Sequence, residues 1–136
     1  MTLYKWLIIL FAMIFMATID DFVLQTFLAK GKQKKWWEEN YPDKKYRKDY
    51  KMCLLLHSFE WSFMVNIPVI IVVWLYHLKD IFNLCIILCL IVLSISHYVI
   101  DDLKANKQLI NLSNDQVLHI DSILIVWSIY VALSKF

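Results

Sequence analysis

Three histidines and a set of acids lie inside otherwise apolar stretches of this 136-residue chain. Asp20, Asp21 and Gln25 fall near the end of the first stretch, and His57 and Glu60 near the start of the second. His97, Asp101 and Asp102 close the third, and Asp115, Gln116, His119 and Asp121 open the fourth. A chain that reverses direction at each stretch brings end, start, end and start to one side, so all four groups meet. On helices, Asp21 stands one turn from Gln25, His97 from Asp101, Asp115 from His119, and His57 from Glu60, each pair sharing a face. Carboxylates and imidazoles at such intervals on facing helices are how bundle cores hold metal ions. Nitrogen and oxygen donors without a thiolate suit one or two divalent ions of Zn, Mn or Fe. The ligand set read this way is Asp21, His57, His97, Asp101 and His119, with Gln25 and Gln116 in support and Glu60 and Asp115 as catalytic bases. Helical phase turns Asp101 inward and Asp102 away, and favours Asp21 over Asp20. The competing reading is an ion-free hydrogen-bond network that joins the helices. Cys53, Cys85 and Cys89 form no C-x2-C pair, and Cys85 and Cys89, one turn apart, read as packing.

The elements that must carry these residues follow from composition. Hydrophobic residues make up 60% of the chain, and one glycine and two prolines leave little for a turn-rich architecture. Residues 6–19, 61–76, 81–96 and 122–134 carry no formal charge. Extended to their flanks they give helices at about 3–28, 52–77, 80–103 and 114–135, each near the roughly 20 residues a membrane span needs. The expected fold is all-α: a single transmembrane domain over 1–136, an integral membrane four-helix bundle of antiparallel up-down topology. The first stretch reads as a retained span rather than a signal peptide, because Asp20 and Asp21 stand where small residues would mark cleavage. A charge deep in hydrocarbon costs roughly 2.5 to 3.5 kcal/mol on insertion scales, so the polar groups are expected to meet one another, water or a metal.

Charge sets the expected orientation. Of 14 Lys and Arg, nine lie in a basic interfacial loop at 29–51, joined by Lys104 and Lys107, against Lys5, Lys79 and Lys135 on the other side. The positive-inside rule then puts that face and the polar cluster toward the cytoplasm, with both termini outside. The loop suits anionic membrane lipids, with a turn at Pro42 and Asp43. Nucleic acid is disfavoured, because Glu38, Glu39, Asp43 and Asp49 dilute the lysines. Tyr4, Trp6, Trp36, Trp37, Trp74, Tyr76, Trp127 and Tyr130 are expected at the membrane interfaces. Asp80 is expected to cap the third helix and Ser113 with Gln116 to box the fourth. Pro68 is expected to kink the second and widen a cavity on its cytoplasmic half.

The segments DDFVLQ (20–25), LLLH (54–57), SHYVIDDLK (96–104) and DQVLH (115–119) resemble a family of small bacterial and phage four-span membrane proteins of unknown function. The family's pattern is H-x3-D-F-x2-Q, a histidine opening the second span, H-x3-D-x2-K, and D-Q-x2-H. The likeness covers nearly the whole chain, and its third and fourth motifs are the most specific. It implies a shared polar set of Asp21, Gln25, His57, His97, Asp101, Asp115, Gln116 and His119, and a bacterial cytoplasmic membrane. The chain departs from the pattern at Ala17, where the first motif has histidine, and at Trp61, where many members have a second one. The pattern is also similar, by analogy, to membrane-bound metal-dependent hydrolases.

The function expected is a metal-dependent hydrolase at the cytoplasmic interface, with a lipid-linked phosphoester or similar anionic substrate drawn in by the basic loop. The runner-up is a metal or proton pathway, opposed by the apolar outer halves of the helices. A bis-histidine haem protein using two of His57, His97 and His119 would need ring-sized space. A structural or regulatory subunit, and a homo-oligomer, complete the set. His77 stands at the far end beside Lys79, outside the constellation.

Overall fold

Runs of Leu, Ile, Phe and Met with almost no Gly or Pro leave the backbone one economical way to satisfy its polar groups, the α-helix. The computed structural model describes residues 2–78 and 80–135, and these contain no strand. Lys79, counted above among the far-side basic residues, lies outside them. The elements are α1 (Leu3–Ile19), a π turn (Asp20–Leu24), α2 (Thr26–Gly31), α3 (Lys34–Asn40), a 3-10 turn (Lys44–Tyr46), α4 (Asp49–Leu75), α5 (Asp80–Ala105) and α6 (Leu112–Leu133). Four helical stretches, Leu3–Leu24, Lys44–Leu75, Asp80–Ala105 and Leu112–Leu133, are long and apolar enough to cross a membrane.

These four pack as a closed ring, α1 against α4 and α6, and α5 between α4 and α6. Hydrogen bonds fix their directions. Trp6 Nε1 near the start of α1 donates to Ser134 Oγ just past the end of α6 at 3.0 Å, and Trp127 Nε1 donates to the Trp6 carbonyl at 2.8 Å. Midway, Tyr130 OH donates to Asn66 Oδ1 at 2.6 Å, and the Ser62 and Ser94 hydroxyls pair at 2.6 Å. At the other end, His57 near the start of α4 meets His97 near the end of α5. The up-down order expected from the sequence is therefore the order found. The interior is filled by Trp6, Met13, Leu54, Trp61, Val65 and Leu93, while Phe11, Phe15, Leu55, Phe59, Ile91 and Ile125 point outward and exposed.

Several local expectations need correction. The first stretch is not one helix to residue 28: it widens into the π turn, closed by Gln25 N–H to Asp20 O at 3.2 Å, and then turns at Thr26, whose φ is 39°. Segment 29–51 carries helical structure of its own. It folds into α2, α3 and the 3-10 turn around an edge-to-face cluster of Phe27, Trp36 and Trp37. Asp43 does mark the turn, accepting the Lys45 amide at 3.1 Å. Trp6 and Tyr130 are buried in the core, where Ser134 and Asn66 satisfy their polar atoms. The cap of α6 is Asn111, whose side chain accepts the Asn114 amide at 2.9 Å, not Ser113. Asp80 stands in the first turn of α5, and the residue before it lies outside the described residues. Assignment of α4 continues through Pro68 to Leu75. A cleft of about 550 Å³, lined by Ile70, Val73, Trp74, His77 and Ile86 among others, lies beyond Pro68, at the end away from His57.

Candidate metal centre

The closed ring places the end of α1, the start of α4, the end of α5 and the start of α6 side by side, and the polar residues of each turn inward there. His57, His97, Asp20 and Asp115 are fully buried, and Asp101 and His119 nearly so. On α5 the four-residue spacing sets Asp101 below His97, with Oδ2 3.5 Å from His97 Nε2. The same oxygen is 3.5 Å from His57 Nε2 across the helix interface. His57 and His97 face each other through their Nε2 atoms at 3.0 Å. Asp21 Oδ1 approaches them at 3.4 and 3.9 Å. On the other flank His119 Nε2 is 3.3 Å from Asp101 Oδ1 and 3.5 Å from Asp115 Oδ1. Two groups of three donors are close enough to hold an ion: Asp21 with His57 and His97, and His97 with Asp101 and His119.

These separations have the size a metal ion requires. Zinc bonds of about 2.0 to 2.2 Å to nitrogen and oxygen make the edge of a coordination tetrahedron about 3.4 Å. Five separations among Asp21 Oδ1, His57 Nε2, His97 Nε2 and Asp101 Oδ2 run from 3.0 to 3.9 Å. Stacking restrains the rings: Trp61 lies on His97 at 4.3 Å and 22°, and His97 on His119 at 4.2 Å and 23°. Trp61 thus serves as a wall for the cluster.

Charge balance points the same way. Asp20, Asp21, Asp101 and Asp115 bring four carboxylates together, and the two lysines among them compensate half. Lys32 Nζ sits 2.6 Å from Asp101 Oδ2, and Lys104 Nζ 2.6 Å from Asp115 Oδ2. With all four carboxylates ionised and the imidazoles neutral, two negative charges would remain in a buried site. One divalent cation, or two protonated histidines, closes that balance. Unpartnered polar atoms mark the same place: both oxygens of Asp20, Asp115 Oδ1 and the Nδ1 atoms of His57, His97 and His119 have no hydrogen-bond partner among the described residues.

The residues singled out from the sequence divide clearly. Asp21, His57, His97, Asp101 and His119 converge. Gln25 donates to Asp21 Oδ1 at 3.1 Å and also to the Asp21 carbonyl, and Gln116 donates to Asp115 Oδ2 at 3.0 Å. Glu60 is half-buried on α4 and belongs to neither donor group, and Asp121 is exposed. Asp102 turns away, accepting Asn106 Nδ2 at 2.9 Å and pairing with Lys107 at 3.1 Å. Asp20 differs from expectation: it is fully buried, with Oδ2 3.7 Å from His57 Nδ1. The π turn winds more residues per turn, so adjacent side chains diverge less and both aspartates face the bundle. Asp20 faces the Nδ1 side of the His57 ring, at a distance longer than a hydrogen bond. Lys32 was also missed, since a lysine in a basic segment carries no mark of burial; Lys104, three residues after Asp101, had a helical-spacing signal.

No protein-family model, curated protein or solved structure matches this chain.

Proposed function

We propose that this chain is an integral membrane protein that holds a divalent cation, Zn, Mn or Fe, between its four long helices, and that it acts as a metal-dependent hydrolase of a lipid-linked phosphoester at the cytoplasmic face. The observation that carries the reading is the cluster itself: nitrogen and oxygen donors from all four helices at coordination-edge separations, with four carboxylates set against two lysines. Membrane residence is supported by outward faces rich in exposed Phe, Leu and Ile, which water does not favour over areas of this size. Orientation is supported by the basic residues of segment 29–51, and kinship with the bacterial and phage four-span family by the motifs at 20–25, 54–57, 96–104 and 115–119.

A divalent ion in this place supplies Lewis acidity for hydrolysis. The chain supplies the rest. Asp115, held by Lys104 and Gln116 and with Oδ1 3.5 Å from His119, is the carboxylate placed to take a proton. Lys34, Lys35, Lys44, Lys45 and Arg47 are exposed beside the aromatic cluster, where they concentrate anionic headgroups. An ion-free network is the second reading, favoured by the two 2.6 Å lysine contacts, which already neutralise half of the acids.

The test is phosphate release from lipid phosphomonoesters in proteoliposomes. Release that ends on chelation and returns with a single added metal is expected, and Asp115→Asn is expected to lower it by about 100-fold or more, the least that one general base contributes. Protein that retains its ion yet hydrolyses none of a panel of lipid phosphoesters removes the hydrolase and leaves the metal site.

A further inference from the structure

We propose that Lys32 is the second cation of the centre: its ammonium takes the place that a second metal ion holds in two-metal sites, so the centre accepts one divalent ion only. This rests on the reading of the cluster as a metal site. Lys32 Nζ lies 2.6 Å from Asp101 Oδ2, and that same oxygen is 3.5 Å from the Nε2 atoms of both His57 and His97. One carboxylate oxygen thus joins a fixed positive charge to the imidazole donors, as a bridging carboxylate joins two metals.

The two three-residue groups share His97, and the Asp101 of one of them is the residue that Lys32 occupies, so the lysine holds a carboxylate that a second ion would need. Charge agrees: with all four carboxylates ionised and the imidazoles neutral, one divalent ion would cancel the two negative charges that the two lysines leave. A second would leave an equal positive excess in a buried place.

The position of Lys32 is built rather than incidental. Its side chain is 11% exposed, although it lies 69 residues before its partner in the chain. Asn106, in the turn that follows α5, clamps its backbone: Nδ2 donates to the Lys32 carbonyl at 3.2 Å and to Asp102 Oδ1 at 2.9 Å, and Oδ1 accepts the Lys34 amide at 2.7 Å. Gly31 lets this segment seat closely, since a Cβ there would stand 2.9 Å from Cys53 Sγ. Trp37 Nε1 donates to the Gly31 carbonyl at 2.6 Å. Lys104 is the contrast: more exposed at 35%, it pairs with Asp115, which is in neither donor group. An ammonium beside a metal is a point charge suited to a phosphoryl oxygen, so the substrate class follows as a phosphoester anion held between the ion and Lys32.

The experiment is zinc titration of the full-length protein in mild detergent, read as ions per chain by elemental mass spectrometry after desalting. Wild type is expected to saturate at one ion, Lys32→Met at two, and Lys104→Met and Lys32→Arg at one. Asn106→Ala, which keeps the charge but releases the clamp, is expected to admit a second, weaker ion, and it carries the test if Lys32→Met does not fold. Two ions in wild type, or one in both Lys32→Met and Asn106→Ala, would overturn the proposal. Two ions in Lys104→Met as well as Lys32→Met would show that net charge rather than place sets the number, which also overturns it. An ion that appears only when Lys32 is replaced would make the lysine the sole cation, against this inference and the metal reading alike. A wild type and variants without any ion would sink the metal reading first.

Discussion

Replacing His97 by alanine is expected to strip the centre of its ion, lowering affinity by more than about 100-fold, because carboxylates that merely support a ligand are already worth 10- to 100-fold. His97 belongs to both donor groups and is stacked between Trp61 and His119, so its loss removes a donor and loosens the ring beside it. His97→Gln, which keeps most of the volume, separates these effects and is expected to lose the ion while remaining folded. The difference is readable as stability. A ligand at 100 times its Kd adds about 2.7 kcal/mol to the folded state. A chelator should therefore lower the melting temperature of the wild type and leave that of His97→Gln unchanged. Equal chelator sensitivity in the two would place the ion elsewhere.

The paired acids on α5 give the second large effect. Asp101→Asn is expected to weaken metal binding by about 10- to 100-fold or more, whereas Asp102→Asn is expected to be nearly silent. One residue step on a helix turns a side chain by about 100°. Asp101 is accordingly buried among His57, His97, His119 and Lys32, while Asp102 meets Asn106 and Lys107 at the edge. The Asp102–Lys107 pair has side-chain exposures of 19% and 54%, a setting where ion pairs are worth about 0 to 1 kcal/mol. An asparagine at 102 still offers an oxygen to Asn106. Titration of both variants with zinc is the check, and equal losses would mean that the helix face has been assigned wrongly.

Much of this arrangement was legible before any coordinates, for a reason visible in particular residues. His97 with Asp101 and Asp115 with His119 depend only on the helical period, and their meeting depends only on alternation of direction along four apolar stretches. Both properties are local to the chain. Lys32 was not legible, because its burial depends on a contact 69 residues away and on the Asn106 clamp. The burial of Asp20 beside Asp21 was not legible, because the chain makes a π turn where uniform α-helical phase would turn it away. Trp6 and Tyr130 have the composition of interfacial aromatics, and only their partners Ser134 and Asn66 reveal them as core. Segment 29–51 looked like loop from its charge, yet its aromatic rings pack on one another and give it helical structure of its own.

The most direct measurement is X-ray absorption on the wild-type protein as purified in mild detergent, with metal per chain determined on the same sample. The account predicts one Zn, Mn or Fe per chain, with only nitrogen and oxygen neighbours and, for zinc, bond lengths of about 2.0 to 2.2 Å. Folded protein that carries no metal, and takes up none when it is offered, would contradict it and leave the acids, histidines and lysines as an ion-free network. Sulfur at about 2.3 Å would contradict it differently, moving the ion to Cys85 and Cys89, whose Sγ atoms lie 3.9 Å apart.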